Sequence, residues 1–306
     1  MVVGSLNMDQ LVSVAQLPAT GATVAGRNWR QAPGGKGLNQ AVAAARQGAP
    51  VTLIGAVGDD DNGAELLIRV AAEGIDASAV SVQPGAVTGL ALITVADGGA
   101  NTIVVVGGAN AAVEAQVVSR ALTVGPWSHR PLGAGDVLLT QLETPMRSVA
   151  AALRFGHQAG ATTVLNPAPA AGPLPNALLA LVDVVVPNET EAAALTGTKD
   201  PVAAARSLLA AGAAGAIVTL GAAGALVVTV EGTRSVPSYA VDAVDTTAAG
   251  DALCGCLAAA LAAGATLDDA VRRGTAAGAA ASTATGTLLS LPDSGTVDRL
   301  MAGLSI

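Results

Sequence analysis

The fold of this chain is decided by three short apolar runs, ATTVLNPAPA (161–170), VDVVVPN (182–188) and GAIVTLG (215–221). Each is rich in β-branched residues and is flanked by Gly, Pro or Asn, which is typical of a buried strand. Two earlier runs have the same character, VTLIGAVG (51–58) and DVLLTQLE (136–143). All of these runs are therefore predicted to be strands.

Helical segments alternate with the predicted strands, at residues 37–47, 63–72, 146–158 and 188–195. Such alternation favours right-handed βαβ units and an α/β fold, in which a mainly parallel central sheet is flanked by helices on both faces. Ligands of such sheets bind at the carboxyl ends of the strands. Functional residues are therefore expected directly after the strands.

Two segments depart from this alternation, approximately residues 9–32 and 80–108. The second contains TGLALITVADGGANTIVVV (88–106), whose alternating pattern with a central DGG indicates a hairpin. We predict that both segments form antiparallel pairs and together a small antiparallel β lid over one end of the main sheet. Because no fixed-period repeat or linker is present, residues 1–306 are interpreted as a single α/β domain with this lid.

Composition excludes several classes of protein. The net charge of −8 and the pI near 4.6 argue against a nucleic-acid binder. Residues 207–230 carry no charge, but glycines interrupt them and they read as two short strands, so no membrane segment is predicted. The first residues lack the basic region and cleavage site of a signal peptide, so a cytoplasmic location is expected. Cys254 and Cys256, spaced i, i+2, are interpreted as buried small residues.

The strongest chemical signal is VDTTAAGD (244–251), which precedes an Ala- and Leu-rich helical run. Small residues at a helix start let backbone N–H groups approach an anion, and the helix dipole favours phosphate there. Asp251 is then placed to take a proton from a hydroxyl during phosphoryl transfer. The alternative is a carboxylate that only complements the dipole, and local sequence does not separate the two. The similar GAGD (133–136) lacks the preceding Asp-Thr and runs into a strand, so it is rejected as a second site.

Three further clusters carry polar residues. PGGKGLNQAVAAA (33–45) is not a Walker P-loop, because Arg30 replaces the first glycine and Gly37 replaces Ser or Thr; it favours a glycine-lined pocket for a polyhydroxylated substrate. In GSLNMD (4–9), Asn7 and Asp9 point the same way from an extended segment. In NETEA (188–192), Glu191 lies on the helix face of Asn188, where the two residues either organise water around Mg²⁺ or form a plain N-cap.

These motifs, together with TQLETP (140–145), LNPAPA (165–170) and TLGAAG (219–224), resemble the ribokinase branch of the PfkB sugar-kinase family. The resemblance runs in order from about residue 2 to residue 292. It implies an enzyme that transfers phosphoryl from ATP to the 5-hydroxyl of D-ribose, with Asp251 as the base. It also implies Mg²⁺ held with ATP, K⁺ as a monovalent activator, and a homodimer formed through the lid strands.

The resemblance further implies the residues of each subsite. Ribose would contact Asn7, Asp9, Gly35, Lys36, Gly37, Asn39, Glu143 and Asp251. The anion hole for the migrating phosphoryl would be the N–H groups of Ala248, Ala249 and Gly250. ATP would lie against Asn188, Glu191, Thr219, Gly221, Gly224, Gly250 and Thr275, with Mg²⁺ held through water near Glu191. K⁺ would be bound by Asp245, Thr247, Ala281, Ala284, Gly286 and Ser290.

The sequence departs from the family pattern in places. Leu253 and Cys254 stand where Phe-Asn is usual, and Leu288 and Leu289 stand where Gln-Pro is usual. Residues 123–135, with Trp127 and His129, form an insertion to which no chemistry is assigned. The alternatives are another PfkB kinase, acting on deoxyribose, a ketose or a nucleoside, and a non-catalytic sugar or nucleotide sensor. A Rossmann dehydrogenase is excluded, because no GxGxxG follows the first strand.

Overall fold

The computed structural model describes residues 1–124 and 132–306. Trp127 and His129 of the predicted insertion lie outside the described residues. The strands are β1 (Val2–Val3), β2 (Asn7–Val14), β3 (Gly26–Gly34), β4 (Thr52–Gly58), β5 (Asp76–Gln83), β6 (Gly89–Ala96), β7 (Asn101–Val106), β8 (Val137–Thr140), β9 (Thr162–Leu165), β10 (Val184–Val185), β11 (Gly215–Thr219), β12 (Ala225–Thr229) and β13 (Gly232–Val236).

Helices connect most of these strands. They are α1 (Lys36–Arg46), α2 (Asp61–Ala72), α3 (Ala115–Val124), α4 (Met146–Ala159), α5 (Asn176–Leu179), α6 (Glu189–Thr196), α7 (Pro201–Ala210), α8 (Ala249–Ala262), α9 (Leu267–Ala281) and α10 (Ser294–Met301). Among the described residues, no helix is both long enough and apolar enough to cross a membrane. The uncharged stretch 207–230 instead contains the end of α7 and the antiparallel pair β11 and β12.

The main sheet has nine strands in the order β13-β12-β11-β10-β9-β8-β1-β4-β5. Its neighbouring strands are parallel except at β11–β12 and β12–β13. Alternate residues of β8 point to opposite faces, so Leu139 joins a core with Leu257 of α8, whereas Leu138 joins a second core with Leu153 of α4. The predicted α/β fold, with helices on both faces of a mainly parallel sheet, is confirmed.

Small residues let α1 and α8 pack closely on one face of this sheet. A Cβ at Gly255 would lie 2.5 Å from the Cβ of Ala43 and 2.5 Å from the carbonyl oxygen of Gln40. No side chain larger than hydrogen fits between the two helices there. Only 1% of the residues of the chain are aromatic, and helix surfaces of Ala and Gly are in close contact here instead. This contact brings the first turns of both helices together.

The small sheet has four strands in the order β3-β2-β6-β7. β2–β3 and β6–β7 are antiparallel pairs, as predicted, and they join through a parallel contact between β2 and β6. The predicted DGG turn connects β6 to β7, with Gly98 and Gly99 at positive φ. One boundary was wrong: residues 80–83 belong to β5, which pairs with β4 in the main sheet. The alternating pattern of β5 resembles that of the hairpin because β5 is an edge strand and is only half-buried.

Candidate active site

Polar residues follow the parallel strands of the main sheet at one edge. Asn7 comes shortly after β1, Glu143 after β8, Asn166 after β9 and Asn188 after β10, and Thr219 ends β11. Because these strands are parallel, their carboxyl ends share an edge of the sheet. The sequence-based expectation that functional residues would follow the strands is met by this arrangement.

A cleft of about 200 Å³ lies at this edge, where the sheet meets the first turns of α1, α6 and α8. It brings together residues from distant parts of the chain. Its lining residues are Lys36, Asn166, Ala168, Val186, Asn188, Glu191, Thr219, Thr246, Ala248, Gly250, Asp251 and Cys254. The predicted base Asp251, Lys36 of the glycine-rich segment and four of the predicted nucleotide residues therefore share one cavity; these four are Asn188, Glu191, Thr219 and Gly250.

Asp251 is buried in the first turn of α8, with 7% of its surface exposed. Its Oδ2 accepts a hydrogen bond from Asn39 Nδ2 at 2.9 Å, and its Oδ1 accepts one from Gln40 Nε2 at 2.9 Å. Both donors are neutral amides from α1. Asp251 is thus a carboxylate oriented by two hydrogen bonds at the wall of a cleft, which is more than complementing a helix dipole requires.

The first turn of α8 has the features of an anion site. Ala248 is the N-cap residue of α8 and adopts a left-handed conformation with φ 62°. No side chain of the described residues accepts a hydrogen bond from the N–H groups at this helix start. A Cβ at Gly250 would meet nothing within 4 Å, so open space lies beside this residue. The Ala249 N–H donates to the Thr246 carbonyl at 3.3 Å. The absence of a side-chain cap and the positive end of the helix dipole favour a negatively charged group here.

Lys36 faces this region from the first turn of α1. Burial, the largest influence, would lower its pKa, but the carboxylates of Asp251, Glu143 and Glu191 outweigh it and raise the pKa of Lys36. Lys36 is therefore a cation among three acidic residues, two of which, Asp251 and Glu191, also line the cleft. A mobile phosphoryl group entering the cleft would meet this charge.

Asn7 and Asp9 are both buried on β2. Burial, followed by the charges of Glu143 and Asp251, raises the pKa of Asp9 to about 7. Asn7 Oδ1 accepts a hydrogen bond from Asn110 Nδ2 at 2.7 Å, and Asn110 also bonds the backbone of Leu6. Asp9, Glu143 and Asp251 are thus close enough to interact electrostatically, as the predicted sugar subsite requires.

The predicted sugar residues of the glycine-rich segment have structural roles as well. Gly35 has φ +92°, and a Cβ at Gly37 would lie 2.4 Å from the backbone of Gly4 and Ser5. Glu143 Oε2 accepts hydrogen bonds from Ser5 Oγ and from the backbone N–H of Lys36 at 3.0 Å. This oxygen therefore caps α1, which begins after a glycine with no side chain to do so.

Asn39 combines a satisfied and an unsatisfied polar atom. Its Nδ2 bonds Asp251, whereas Asn39 Oδ1 is buried without a hydrogen-bond partner among the described residues. A buried carbonyl oxygen left without a donor costs about 1–3 kcal/mol. A ligand hydroxyl that donates to Asn39 Oδ1 would remove this cost.

On the nucleotide side, Asn188 and Glu191 form a capping box at the start of α6. Asn188 Oδ1 accepts from Glu191 N at 2.8 Å, and Glu191 Oε2 accepts from Asn188 N at 2.9 Å. The N-cap interpretation is confirmed, and both side chains also line the cleft. Burial, partly opposed by the Asn188 hydrogen bond and by Lys36, raises the pKa of Glu191.

The other predicted nucleotide residues differ in position. Thr219 lines the cleft and forms an isolated bridge with Asn188. Gly221 and Gly224 lie in the turn between β11 and β12, and a Cβ at Gly224 would lie 2.1 Å from the Val236 carbonyl oxygen.

Thr275 is not brought to the cleft. It is buried in α9, and its hydroxyl donates to the Val271 carbonyl at 2.8 Å. The packing of α9 against α8 requires small residues at this helix face, and Gly274 lies against the Leu253 carbonyl. The assignment of Thr275 to the ATP site is therefore not supported by its position.

Asp245 accepts hydrogen bonds from two of the other predicted cation ligands. Its Oδ1 accepts from Thr247 N at 2.9 Å and its Oδ2 from Gly286 N at 3.1 Å. Burial would raise the pKa of Asp245, but these hydrogen bonds dominate and lower it, so it is ionised. Ala284 N bonds the Ala281 carbonyl at 3.5 Å, and Ser290 Oγ donates to the Thr287 carbonyl at 2.9 Å. One ionised carboxylate close to a loop of carbonyl groups fits a monovalent cation.

No group of three or more His, Cys, Asp or Glu suited to holding a metal occurs within residues 1–124 and 132–306. Glu191 is the acidic residue that lines the nucleotide side of the cleft. A Mg²⁺ ion held mainly by the phosphates of ATP needs few protein ligands. The residues present therefore fit a metal that enters with the nucleotide.

Sequence reasoning missed three polar residues of the site, Gln40, Asn166 and Asn110. Gln40 and Asn166 lie inside the motifs 33–45 and 165–170, and all three are buried, with Gln40 0% exposed. A glutamine in the middle of the Ala-rich run of α1 is a signal that could have identified Gln40, because glutamine is rarely buried without a purpose. Asn110 follows no recognisable motif.

Cys254, interpreted from the sequence as a buried small residue, is buried and also lines the cleft.

A buried carboxylate and a lysine beside a helix start without a side-chain cap suit a small-molecule phosphotransferase, because phosphoryl transfer needs a positioned base and stabilised charge. Comparison with known proteins gives the family: the model of the pfkB family carbohydrate kinases matches residues 1–294. The chain belongs to the PfkB family of carbohydrate kinases, and it is a kinase.

Individual relatives agree with this assignment. The chain is 40% identical over 296 residues to a ribokinase of Haemophilus influenzae, covering 95% of this chain and 94% of that protein. It is 35% identical to a deoxyribokinase of Salmonella typhi, covering 84% of this chain and 83% of the relative. Among solved structures, Arabidopsis thaliana ribokinase complexed with ribose and ATP has a TM-score of 0.85 and 28% identity, covering 98% of this chain and 97% of that one.

Proposed function

We propose that this kinase transfers the γ-phosphoryl group of ATP to the 5-hydroxyl of D-ribose, giving ribose 5-phosphate and ADP, with Asp251 as the general base. The observation that carries the proposal is the buried Asp251 carboxylate, held by two amides at the wall of the cleft. A base oriented in this way needs only a hydroxyl within hydrogen-bond distance to take its proton.

The phosphoryl group would be stabilised by the start of α8 and by Lys36. The N–H groups of Ala248, Ala249 and Gly250 are proposed as the anion hole, and Ala248 and Gly250 line the cleft. Charge on the migrating group spreads over its equatorial oxygens, so preorganised N–H groups and a cation favour the transition state more than the ground state.

The sugar would lie between β2, α1 and Asp251. Asn39 Oδ1 would accept a sugar hydroxyl, which satisfies its buried carbonyl, and Asp9 would accept another when ionised. Glu143 contributes mainly by capping α1, which holds Lys36 and Asn39 in position. Gly35 and Gly37 shape this region by their backbone.

ATP is proposed to bind along Asn188, Glu191 and Thr219, with Gly221 and Gly224 shaping the adjacent turn. When bound, Mg²⁺ supplies positive charge that neutralises the phosphates, and Glu191 would hold it through water. K⁺ would be held near Asp245, Thr247 and Gly286, with the carbonyls of Ala281 and Ala284 and the hydroxyl of Ser290 as further ligands. Its charge would act on the neighbouring start of α8.

Ribose is proposed as the substrate because relatives named ribokinase are similar over nearly the whole chain, and because the chain resembles a ribokinase structure that contains ribose and ATP. The second candidate is deoxyribose, which the 35% identity to a deoxyribokinase favours. The two sugars differ only at the 2-hydroxyl, so a single hydrogen bond separates the candidates.

We also propose a homodimer through the small sheet. All residues of β7 are exposed, and Leu92 and Val104, 46% and 59% exposed, are cross-strand neighbours in the small sheet. An exposed apolar edge strand favours pairing with a second chain.

ADP release should be measured with D-ribose, 2-deoxy-D-ribose, D-fructose and adenosine, each with ATP and Mg²⁺, in K⁺ and in Na⁺ buffers. The expected result is the highest kcat/KM with D-ribose and a higher rate in K⁺. Asp251→Ala is expected to lower kcat by at least about 10³-fold while ribose binding, measured by calorimetry, survives. Near-normal turnover of this variant, or no preference for ribose, would contradict the proposal.

A further inference from the structure

Gln40 is buried beneath the cleft and has every polar atom in a hydrogen bond. Its Nε2 donates to Asp251 Oδ1 at 2.9 Å and to Asn166 Oδ1 at 3.0 Å, and its Oε1 accepts from Gln141 Nε2 at 2.7 Å. Asn166 in turn donates to the Val186 carbonyl at 2.8 Å. A chain of buried amides therefore connects the ends of β8, β9 and β10 to Asp251.

The direction of this chain is determined by a backbone group. The Val186 carbonyl can only accept, so Asn166 must turn its NH₂ group toward it and its oxygen toward Gln40. That oxygen needs a donor, which requires the NH₂ group of Gln40 on this side. The same NH₂ group then faces Asp251, and the Gln40 oxygen faces the NH₂ group of Gln141.

The opposite orientation of Gln40 would be unfavourable at three contacts. Its carbonyl oxygen would face the Asp251 carboxylate and the Asn166 oxygen, and its NH₂ group would face that of Gln141. In a buried site each such mismatch leaves a polar group without a partner. The network thus favours the orientation of Gln40 that places a hydrogen-bond donor on Asp251 Oδ1.

We propose that Gln40 is a positioning residue for phosphoryl transfer, which sets the orientation of the Asp251 carboxylate and is itself oriented by Gln141 and Asn166. The inference rests on the proposed role of Asp251 as the base. Gln40 does not line the cleft, but Asp251 and Asn166, which it bonds, both do. Of these two residues Asp251 is the proposed base, so Gln40 acts on the reaction through Asp251. Its loss allows the carboxylate to rotate away from the acceptor hydroxyl, whereas Asn39 still bonds Asp251 Oδ2 and Asn166 still bonds the Val186 carbonyl.

The proposal is tested with Gln40→Met, which keeps the length of the side chain and removes the hydrogen bonds. Gln47→Met is the matched control. Gln47 directly follows the last residue of the same helix, and its amide donates to the Pro292 carbonyl instead of to Asp251. Gln40→Met is expected to lower kcat for sugar phosphorylation about 10- to 100-fold, as for loss of a hydrogen bond to a charged group. The KM values for sugar and ATP, and ATP hydrolysis without sugar, should stay within about two-fold.

A double-mutant cycle with Asp251→Ala separates positioning from a general structural effect. If Gln40 acts through Asp251, Gln40→Met causes no further loss in the Asp251→Ala background, measured by single turnover. Equal losses in both backgrounds, or a changed KM with an unchanged kcat, would overturn the proposal. Comparison of the wild type with Asp251→Ala tests the proposed function separately, because Gln40 is unchanged in both proteins.

Gln141→Met provides a second test if Gln40→Met does not fold. It leaves Gln40 in place but removes the donor that orients it, so kcat should fall about 3- to 10-fold, less than for loss of Gln40 itself. An unchanged kcat in a folded Gln141→Met protein would overturn the proposal, whatever the behaviour of Gln40→Met.

Discussion

The buried Asp9 carboxyl should lower the stability of this protein as pH rises from about 4 to about 7. Burial and the charges of Glu143 and Asp251 raise the pKa of Asp9 to about 7, whereas an Asp in an unfolded chain has a pKa of about 3.9. Between these values the folded protein binds a proton that the unfolded chain has lost. Stability is therefore greatest at acid pH and is lost as pH rises toward 7.

The size of the effect follows from linkage. One proton difference changes the free energy of unfolding by about 1.4 kcal/mol per pH unit. From pH 5 to pH 8 the curve flattens above the folded pKa, so this single carboxyl lowers the stability by about 2–3 kcal/mol. Asp9→Asn removes the titrating group, so it should be stabilised relative to the wild type by that amount more at pH 8 than at pH 5.

Urea unfolding of both proteins at half-unit steps from pH 5 to pH 8 measures this difference, and titrating groups that do not interact with Asp9 cancel in the comparison. Asn7→Ser is the matched control, because it changes a buried polar residue of the same strand and keeps the carboxyl. It should retain the pH dependence of the wild type. Parallel curves for the wild type and Asp9→Asn would refute the reasoning.

The same carboxyl is expected to govern sugar binding. A sugar hydroxyl donates more strongly to an ionised carboxylate, so the affinity for D-ribose should increase as pH rises through about 7. Calorimetric titration over this range tests the expectation. Asp9→Asn should bind ribose more weakly and without this pH dependence, which would show that the carboxyl is kept for binding at a cost in stability.

Three further predictions concern packing and assembly. Gly255→Ala should destabilise the protein by about 1–3 kcal/mol in urea unfolding and lower kcat. The new Cβ would collide with Ala43 and the Gln40 carbonyl and displace α1 from α8. An unchanged free energy of unfolding and an unchanged kcat would contradict the close contact. Ala248→Gly should leave the stability equal or raise it by up to about 1 kcal/mol, since φ 62° suits glycine better; a clear loss of stability would contradict that conformation. Val104→Glu places a charge on the exposed face of β7, so it should shift the protein from dimer to monomer in sedimentation experiments and keep kcat within about two-fold. A variant that still sediments as a dimer would exclude this face as the interface.

Local sequence patterns predicted the helices and strands, whereas most of the candidate site residues were implied by the resemblance to the PfkB family. Short β-branched runs alternating with Ala-rich segments predicted the parallel sheet, because buried strands and helices each impose their own period on the chain. The segment 244–251 made Asp251 a candidate base at a helix start, because an anion site there needs small residues, but it did not separate a base from a carboxylate that only complements the helix dipole. The edge strand β5 was partly assigned to the small sheet, because a half-exposed strand has the same alternation in either sheet.

Only the tertiary structure decided what surrounds Asp251. Asn39 and Gln40 reach it across 212 and 211 residues of chain, and this contact depends on the close packing of α1 and α8 at Gly255. The burial of Thr275 in α9 depends likewise on packing between helices. Local periodicity indicates which face of an element is buried but not which partner it meets, and the orientation and charge of a buried carboxylate depend on that partner.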